Sequence, residues 1–184
     1  EAELQVVAIT RRTDFVASHF SKYKNLQVLA YSIGDLKKEH LPKDIEYVVH
    51  TAAQSPEANT KIADYLDVNV NGTANLVKSL RQLDIKKVIN LSSTSVYGSP
   101  SEGVLDEHTM PQEASMYGLT KFMSEEILSE QFGERVLHLR LPAIIGKGAH
   151  RNWPTRLINK ILSDEPIDLF NWSDPFNNVF HIDD

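Results

Sequence analysis

The chain has 184 residues, of which 41% are hydrophobic and 24% charged, with a net charge of −6 and a pI near 5.6. This composition is typical of a globular protein, and the negative charge argues against nucleic acid or an anionic membrane as a partner. The sequence contains no cysteine, its seven histidines show no metal-ligand spacing, and no apolar run approaches the roughly 18 residues that cross a bilayer. We therefore expect a cytoplasmic protein without disulfides, a metal site or a membrane span.

The first half of the chain alternates apolar segments with helical patterns. Three buried strands are predicted from apolar and β-branched runs, at residues 4–10, 26–31 and 45–51. A short helix is expected around residues 15–20. In residues 60–83 apolar positions recur at intervals of three and four, which predicts a long helix with a break near Asp67. Alternation of strands and helices predicts an α/β fold with a doubly wound parallel sheet.

The second half continues this alternation and then changes character. Strands are predicted at residues 88–91 and 136–141, and a helix between them from 115 to about 132. A turn at residues 142–148 precedes a helix at 155–163, whose Ile158, Ile161 and Leu162 are expected to face inward. Two further short strands are predicted, at residues 167–170 and 179–182.

Three polar residues around the fourth strand predict a reaction centre. Ser93 lies in a serine-rich segment at the carboxyl end of this strand, where parallel sheets collect their ligands. Tyr117 follows 24 positions later and Lys121 four residues after that, so the phenol and the ammonium share one helix face. Either motif by itself is common in loops and helices, but the two in this order favour a catalytic site.

The chemistry of these three groups fits hydride transfer coupled to proton transfer. A free phenol has a pKa of about 10, so a tyrosine that carries a proton near neutrality needs a pKa lower by roughly three units. One cation roughly 4 Å away at an effective dielectric of about 20 supplies about that free energy, which makes Lys121 the expected cause. Ser93 would hold the substrate oxygen while Tyr117 takes or gives the proton.

At this point the chain resembles the extended short-chain dehydrogenase/reductase family, the NAD(P)-dependent sugar-nucleotide epimerases, dehydratases and reductases. The resemblance covers nearly the whole chain, and its most specific motifs are residues 92–98, residues 117–121, and Arg140, Leu141 and Pro142 with Gly146 following. It implies a Rossmann-like NAD(P)-binding domain in residues 1–148 and the start of a smaller substrate lobe in residues 149–184.

The resemblance also implies that this sequence is a fragment. None of the eight glycines forms the Gly-x-x-Gly-x-x-Gly turn that binds the cofactor pyrophosphate at a helix N-terminus. We expect that turn, with the first strand and helix of the family, to lie upstream of Glu1. We expect the substrate lobe to continue beyond Asp184.

The resemblance assigns cofactor contacts to residues at the ends of several strands. Arg11 and Arg12 stand where an acidic residue would bind the ribose of NAD, which favours NADP over NAD, although a solvated pair of arginines is an equally good interpretation. The other implied cofactor residues, besides Tyr117 and Lys121, are Asp35, Leu36, Ala52, Ala53, Asn69, Ser92, Leu141 and Pro142. For Asn69 a structural role is the commoner one.

The implied substrate is a small molecule, a nucleotide-activated sugar. Ser93, Thr94 and Asn152 occupy substrate-binding positions of the family, and nearby positive charge suited to a diphosphate comes from Lys147, His150, Arg151 and Arg156. Two expected residues are absent, because Ala143 replaces an asparagine and Asn177 an arginine, so another carbonyl or hydroxyl substrate stays open. By analogy the helices at 60–83 and 115–132 would pair in a homodimer.

The residues after Ser93 discriminate between reactions of the family. Its 4,6-dehydratases carry Asp-Glu there as an acid and a base, whereas this chain has Thr94 and Ser95, so dehydration is disfavoured. Epimerisation or a net reduction remains. The alternatives are an NADP-dependent reductase of a non-nucleotide carbonyl and a catalytically silent NADP-binding regulatory module.

Overall fold

The structure is a computed structural model that describes residues 4–100, 103–149, 152–168 and 179–184. Its strands, in chain order, are β1 (Val6–Ile9), β2 (Leu26–Leu29), β3 (Tyr47–His50), β4 (Lys87–Ser93), β5 (Val136–Leu141), β6 (Ala143–Ile145) and β7 (Val179–His181). Its helices are α1 (Thr13–His19), α2 (Ile62–Tyr65), α3 (Gly72–Leu80), α4 (Met116–Phe132) and α5 (Trp153–Leu162). A π-helical turn, Leu66–Asn71, joins α2 to α3 at the break that was predicted near Asp67.

Every described strand pair is parallel, as the alternating pattern predicted. β1 pairs with β2, β4 lies between β3 and β5, and β6 pairs with β7. In the central group Val88 of β4 lies opposite Val48 and Val136. β4 and β5 end opposite each other at Ser93 and Leu141, whereas β3 ends earlier, at His50 opposite Asn90, so all three point toward the same carboxyl side of the sheet. The prediction of a Rossmann-like α/β fold is confirmed.

The hydrophobic core lies between the central strands and helices α3 and α4. It consists of buried leucine, isoleucine, valine and phenylalanine side chains: Leu36, Leu41, Leu76, Leu80, Ile85, Val88, Leu128 and Phe132. Contacts of this kind on one face fix α4 against β4, which is the arrangement that brings the predicted site residues together. None of the helices that the structure describes has the length and apolar character that a bilayer crossing requires.

The end of the chain differs from the sequence expectation in one respect. Ile158, Ile161 and Leu162 of α5 are 55%, 58% and 79% exposed, so the prediction that they face inward was wrong. These residues do share one apolar face of the helix, but no described element packs against that face. A helical period identifies an apolar face and does not show that another element buries it. The boundary proposed after residue 148 stays a prediction.

Of the two short strands predicted near the end, the second is confirmed. Val179–His181 forms β7, whose partner is β6. Residues 167 and 168 are not in a strand, and the rest of the predicted strand at 167–170 lies outside the described residues. His150, Arg151 and Asn177 lie outside them as well.

Candidate active site

Ser93 is the last residue of β4 and begins the turn that follows the strand. Its backbone is extended, with φ −147° and ψ 145°, and its side-chain oxygen accepts the backbone N–H of Ser95 at 3.1 Å. Because Ser93 lies opposite Leu141 at the end of β5, both residues reach the same carboxyl edge of the sheet. The side chain of Ser93 is half-buried there, beside the start of α4.

The first turn of α4 packs directly on the turn after β4. Ser115 caps the helix by accepting the backbone N–H of Gly118 at 3.2 Å. A Cβ atom added to Gly118 would lie 2.0 Å from the carbonyl oxygen of Ser95, which is far inside contact distance. Only glycine therefore permits this approach, and the approach places the neighbouring Tyr117 beside Ser93.

The Ser93 hydroxyl lies close enough to the Tyr117 phenol to act on its pKa. The Tyr117 ring is half-buried and lies tilted against the Tyr65 ring, with 6.2 Å between the ring centroids. Burial raises the pKa of Tyr117, and the nearby Ser93 hydroxyl offsets part of that rise. The sequence predicted a lowered pKa, and in the chain by itself desolvation outweighs any attraction from Lys121.

Lys121 is buried one turn further along α4, with 2% of its surface exposed. Its Nζ donates a hydrogen bond to the carbonyl oxygen of Leu91 at 2.8 Å, so the amine is held against β4. Burial lowers the pKa of Lys121, and the nearby Glu125 carboxylate raises it in part. An ammonium has three donors, and Leu91 is its one acceptor among the described residues, so its donor set suits ligand hydroxyls such as those of a ribose.

Asn69 connects α4 to the loop that follows β3. It is 1% exposed, and its Oδ1 accepts the backbone N–H of Gln54 at 2.7 Å. Its Nδ2 donates to Thr120 Oγ1 at 3.0 Å and to the carbonyl oxygen of Gln54 at 3.3 Å. In this structure the amide side chain is thus occupied by protein groups that set the position of α4.

His50, at the end of β3, is a buried polar residue that the sequence reasoning passed over. Its Nε2 lies 3.1 Å from Thr73 Oγ1, which in turn lies 3.0 Å from Ser124 Oγ on α4. Burial lowers the pKa of His50 to about 4, and the positive charge of Lys121 adds to the effect. The buried His50 imidazole is therefore neutral near neutral pH.

Glu125 is the second residue that the sequence reasoning missed. It is 3% exposed, accepts a hydrogen bond from the Ser92 hydroxyl, and forms an ion pair with Arg140, whose Nη2 lies 2.8 Å from Oε2. The signal was present in the sequence, because Glu125 follows Lys121 by four residues and therefore lies on the same helix face.

The predicted cofactor residues near β1 and β2 are exposed or occupied by neighbours. Arg11 is exposed, and the Arg12 guanidinium lies over the Phe15 ring, 4.2 Å from its centroid. The Asp35 carboxylate accepts the Ser32 hydroxyl at 2.6 Å, and Leu36 is a core residue with 2% exposure. Their proposed roles toward a cofactor stay predictions.

The remaining predicted residues lie along the carboxyl edge of the central strands. Exposed Ala52 and half-buried Ala53 follow β3, Thr94 opens the turn after Ser93, and Leu141 and Pro142 stand at the end of β5. Ser92 points to the α4 side, where it meets Glu125.

Asn152 caps α5, where its Oδ1 accepts the backbone N–H of Thr155 at 2.9 Å and its Nδ2 donates to the carbonyl oxygen of Ile144. Lys147 and Arg156 are exposed. Among the described residues no cluster of histidine and carboxylate side chains would hold a metal ion. The substrate role assigned to Asn152 stays a prediction.

The chain matches a known protein family and several of its members. The model of the NAD dependent epimerase/dehydratase family matches residues 1–184. The UDP-glucose 4-epimerase of Lactobacillus helveticus is 34% identical over 87 residues, which are 46% of this chain and 26% of that protein. The N-acetyl-alpha-D-glucosaminyl-diphospho-ditrans,octacis-undecaprenol 4-epimerase of Escherichia coli O157:H7 is 30% identical over 137 residues, 70% of this chain and 41% of that protein. The chain thus spans less than half the length of these curated relatives.

A solved structure shares the fold over almost the whole chain. The crystal structure of UDP-glucuronic acid 4-epimerase from Bacillus cereus, in complex with UDP-glucuronic acid and NAD, superposes with a TM-score of 0.83. It is 24% identical in sequence, and the match covers 97% of this chain and 62% of that one. This likeness shows the fold, and the family match over residues 1–184 shows that the chain belongs to the NAD-dependent epimerase/dehydratase family.

Proposed function

We propose that the protein containing this chain is a 4-epimerase of a nucleotide-activated sugar, with NAD as the hydride carrier and Tyr117 as the acid and base. The observation that carries this proposal is the placement of the Ser93 hydroxyl beside the Tyr117 phenol, with the buried Lys121 amine one helical turn away. The two curated relatives described above are named as sugar 4-epimerases, which supports the reaction class.

Each of the three side chains has a distinct task in this proposal. Ser93 holds the sugar hydroxyl that is oxidised, and Tyr117 takes the proton from that hydroxyl and later returns it. Lys121 stabilises the phenolate and offers its remaining donors to the ribose of the cofactor. When bound, the oxidised nicotinamide cofactor supplies the hydride acceptor and a further positive charge.

Without a bound cofactor the pKa of Tyr117 is raised, so the complex with cofactor must lower that pKa before Tyr117 can act as a base. A phenol whose pKa is raised from its ordinary value stays protonated at neutral pH, so it cannot accept the proton of a sugar hydroxyl there. Additional positive charge near the phenol lowers its pKa. We therefore expect Tyr117 to become an effective base only in the complex with oxidised cofactor.

NAD is the proposed cofactor, in place of the NADP that Arg11 and Arg12 favoured. The family is named for NAD, and the Bacillus cereus structure contains NAD. Arg12 is engaged with the Phe15 ring, which leaves the exposed Arg11 as the remaining candidate for a 2′-phosphate. Fluorescence titration of the full-length protein with NADH and NADPH tests this choice, and tighter binding of NADPH would reverse it.

The reaction proposal is tested by removing one hydroxyl. In the full-length protein Tyr117→Phe should lower the rate of UDP-sugar epimerisation by about 10²–10⁴-fold, because it deletes the proton carrier. NADH binding should change little, since the ring and its packing are retained. The control is Tyr23→Phe, which removes an exposed phenol of the same kind far along the chain from the site.

Three results would contradict the proposal. Equal activity of the wild-type protein and Tyr117→Phe would exclude Tyr117 as the acid and base. Tight NADH binding without turnover of any sugar nucleotide in either protein would favour the catalytically silent module. Turnover of a simple carbonyl with net consumption of reduced cofactor would favour the reductase.

A further inference from the structure

One buried carboxylate, that of Glu125, links the site helix to two strands. Its Oε1 accepts the Ser92 hydroxyl of β4. From β5, Arg140 Nε lies 3.2 Å from both carboxylate oxygens and Arg140 Nη2 lies 2.8 Å from Oε2. The ion-paired side chains are only 14% and 4% exposed, so this is a buried, doubly hydrogen-bonded ion pair rather than a surface contact.

The same arginine continues the connection into the segment that follows Ser93. Its guanidinium carbon lies 4.8 Å from the centroid of the Tyr97 ring, and its Nη1 lies 3.4 Å from the carbonyl oxygen of Glu107. The Tyr97 hydroxyl donates to the carbonyl oxygen of Asp106 at 3.0 Å. Glu125 and Arg140 therefore join α4, β4 and β5 to Tyr97 and to the segment at residues 106–107.

This connection acts on the groups of the proposed reaction through two short paths. Tyr117, Lys121 and Glu125 follow one another at intervals of four and share one face of α4, so the anchored carboxylate sets the rotation of that face toward β4. Ser92 directly precedes Ser93, which ends β4 and begins the turn beside the first residues of α4. A hydroxyl of Ser92 that is fixed on α4 thus also fixes the backbone from which the Ser93 side chain extends.

We propose that Glu125, together with Arg140, is a positioning residue that holds Ser93, Tyr117, Tyr97 and the segment at residues 106–107 in one productive arrangement. This inference rests on the proposed function, because it concerns the same reacting groups. Stability by itself explains the pair poorly, since two apolar residues of similar volume are often at least as stabilising as a buried ion pair. Exact placement of reacting groups, by contrast, changes rates by large factors.

The decisive experiment replaces both partners at once in the full-length protein. Glu125→Leu combined with Arg140→Met removes both charges of the ion pair, and the Lys121 amine keeps its hydrogen bond to Leu91, so the thermal midpoint should stay within a few degrees of the wild-type value. The proposal expects kcat to fall about 10–100-fold in this variant, as when supporting contacts of a site are lost. Wild-type kcat together with wild-type stability would overturn it.

Ser92→Ala serves as a second variant that does not depend on the fold tolerating the double replacement. It removes only the hydroxyl between β4 and Glu125 and leaves the ion pair intact. We expect kcat to fall about tenfold with an unchanged thermal midpoint, and an unchanged kcat would count against the proposal. The matched control is Glu46→Gln, which breaks an exposed ion pair with Lys86 and should leave kcat as it is.

A spectroscopic measurement separates this inference from the proposed function. The NMR signal of the Tyr117 ring is assigned by its loss in Tyr117→Phe and is then followed in Ser92→Ala and in the double variant. Movement of the Tyr117 signal with a constant Tyr23 signal supports the positioning role even when no sugar is turned over. A Tyr117 signal that stays in place in both variants overturns it, whatever the activity.

Discussion

Helices α4 and α5 differ in which side chains they bury. α4 buries several polar side chains, whereas α5 leaves its apolar face exposed. α4 buries Lys121, Ser124 and Glu125, whereas its apolar Leu119 and Met123 are 39% and 44% exposed. α5 has a regular apolar stripe, yet none of its residues is buried. The comparison teaches that burial in this protein follows the partners that a face meets, since each buried polar side chain of α4 has a partner on a strand, on α3 or on the π-helical turn before α3.

The buried polar groups of α4 are matched one by one. Lys121 donates to Leu91 of β4, Ser124 meets Thr73 of α3, and Glu125 meets Ser92 and Arg140. Burying a polar group without a hydrogen bond costs free energy, so these contacts are what allows the polar side chains of α4 to be buried. No described element packs on the apolar face of α5, which therefore stays exposed.

The same substitution in the two helices gives the largest expected difference. Leu128→Ala in α4 removes a side chain with 0% exposure from the core and should lower the free energy of unfolding by about 2–5 kcal/mol. Leu162→Ala in α5 alters a side chain that is 79% exposed and should change it by about 0.5 kcal/mol or less. Denaturant unfolding of both variants measures the difference, and equal values would show that α5 is covered in solution.

The buried side of α4 should also respond to acid. The folded-state pKa of His50 is about 4, below its usual 6.5, so the unfolded chain binds the extra proton first as the pH falls. The stabilising effect of neutral His50 is therefore complete above pH 6.5 and is lost progressively down to about pH 4, up to about 3 kcal/mol. Burial also lowers the pKa of His138, which acts in the same direction.

Unfolding curves of the wild type and His50→Gln between pH 8 and pH 4 test this expectation. Glutamine keeps a hydrogen-bonding group opposite Thr73 but cannot take up a proton in this range. The free energy of unfolding of the variant should therefore depend less steeply on pH. Parallel curves for the two proteins would mean that His50 is not held neutral beside Lys121.

Gly118→Ala tests how closely α4 approaches β4. The added methyl would lie 2.0 Å from the Ser95 carbonyl, so the helix must shift, at an expected cost of about 1–3 kcal/mol. Because the shift moves Tyr117 away from Ser93, the rate of epimerisation should fall even at temperatures where the variant remains folded. Gly103→Ala is the control, since an added methyl there meets no atom within 4 Å. Normal activity of Gly118→Ala would contradict the described contact.

The smallest expected effect concerns the start of α5. Asn152→Ala removes the side chain that accepts the Thr155 N–H and should cost about 1 kcal/mol. Asn152→Ser retains a capping oxygen and should restore most of that stability, although it lacks the amide. If Asn152 also binds the substrate, as the family resemblance implies, Asn152→Ser should still raise the KM for the sugar. An unchanged KM would leave Asn152 as a helix cap only.

Much of the fold was predictable because its local signals are strong. The strand at residues 136–141 coincides with β5, and the helix expected from 115 to about 132 is α4, with its cap at Ser115. The candidate site was predictable where residues are close in sequence, as Tyr117 and Lys121 are. Glu125 and His50 were missed because their importance depends on contacts with Arg140, Thr73 and Lys121, which lie on other elements.

The sequence by itself determined the alternation of strands and helices, the placing of Ser93 at a strand end and the shared helix face of Tyr117 and Lys121, because these follow from backbone periods. Only the tertiary structure decided that polar residues of α4 are buried while the stripe of α5 is exposed, and that burial raises the pKa of Tyr117. The physical reason is that burial and pKa depend on which groups from distant parts of the chain surround a side chain. No period along one segment contains that information.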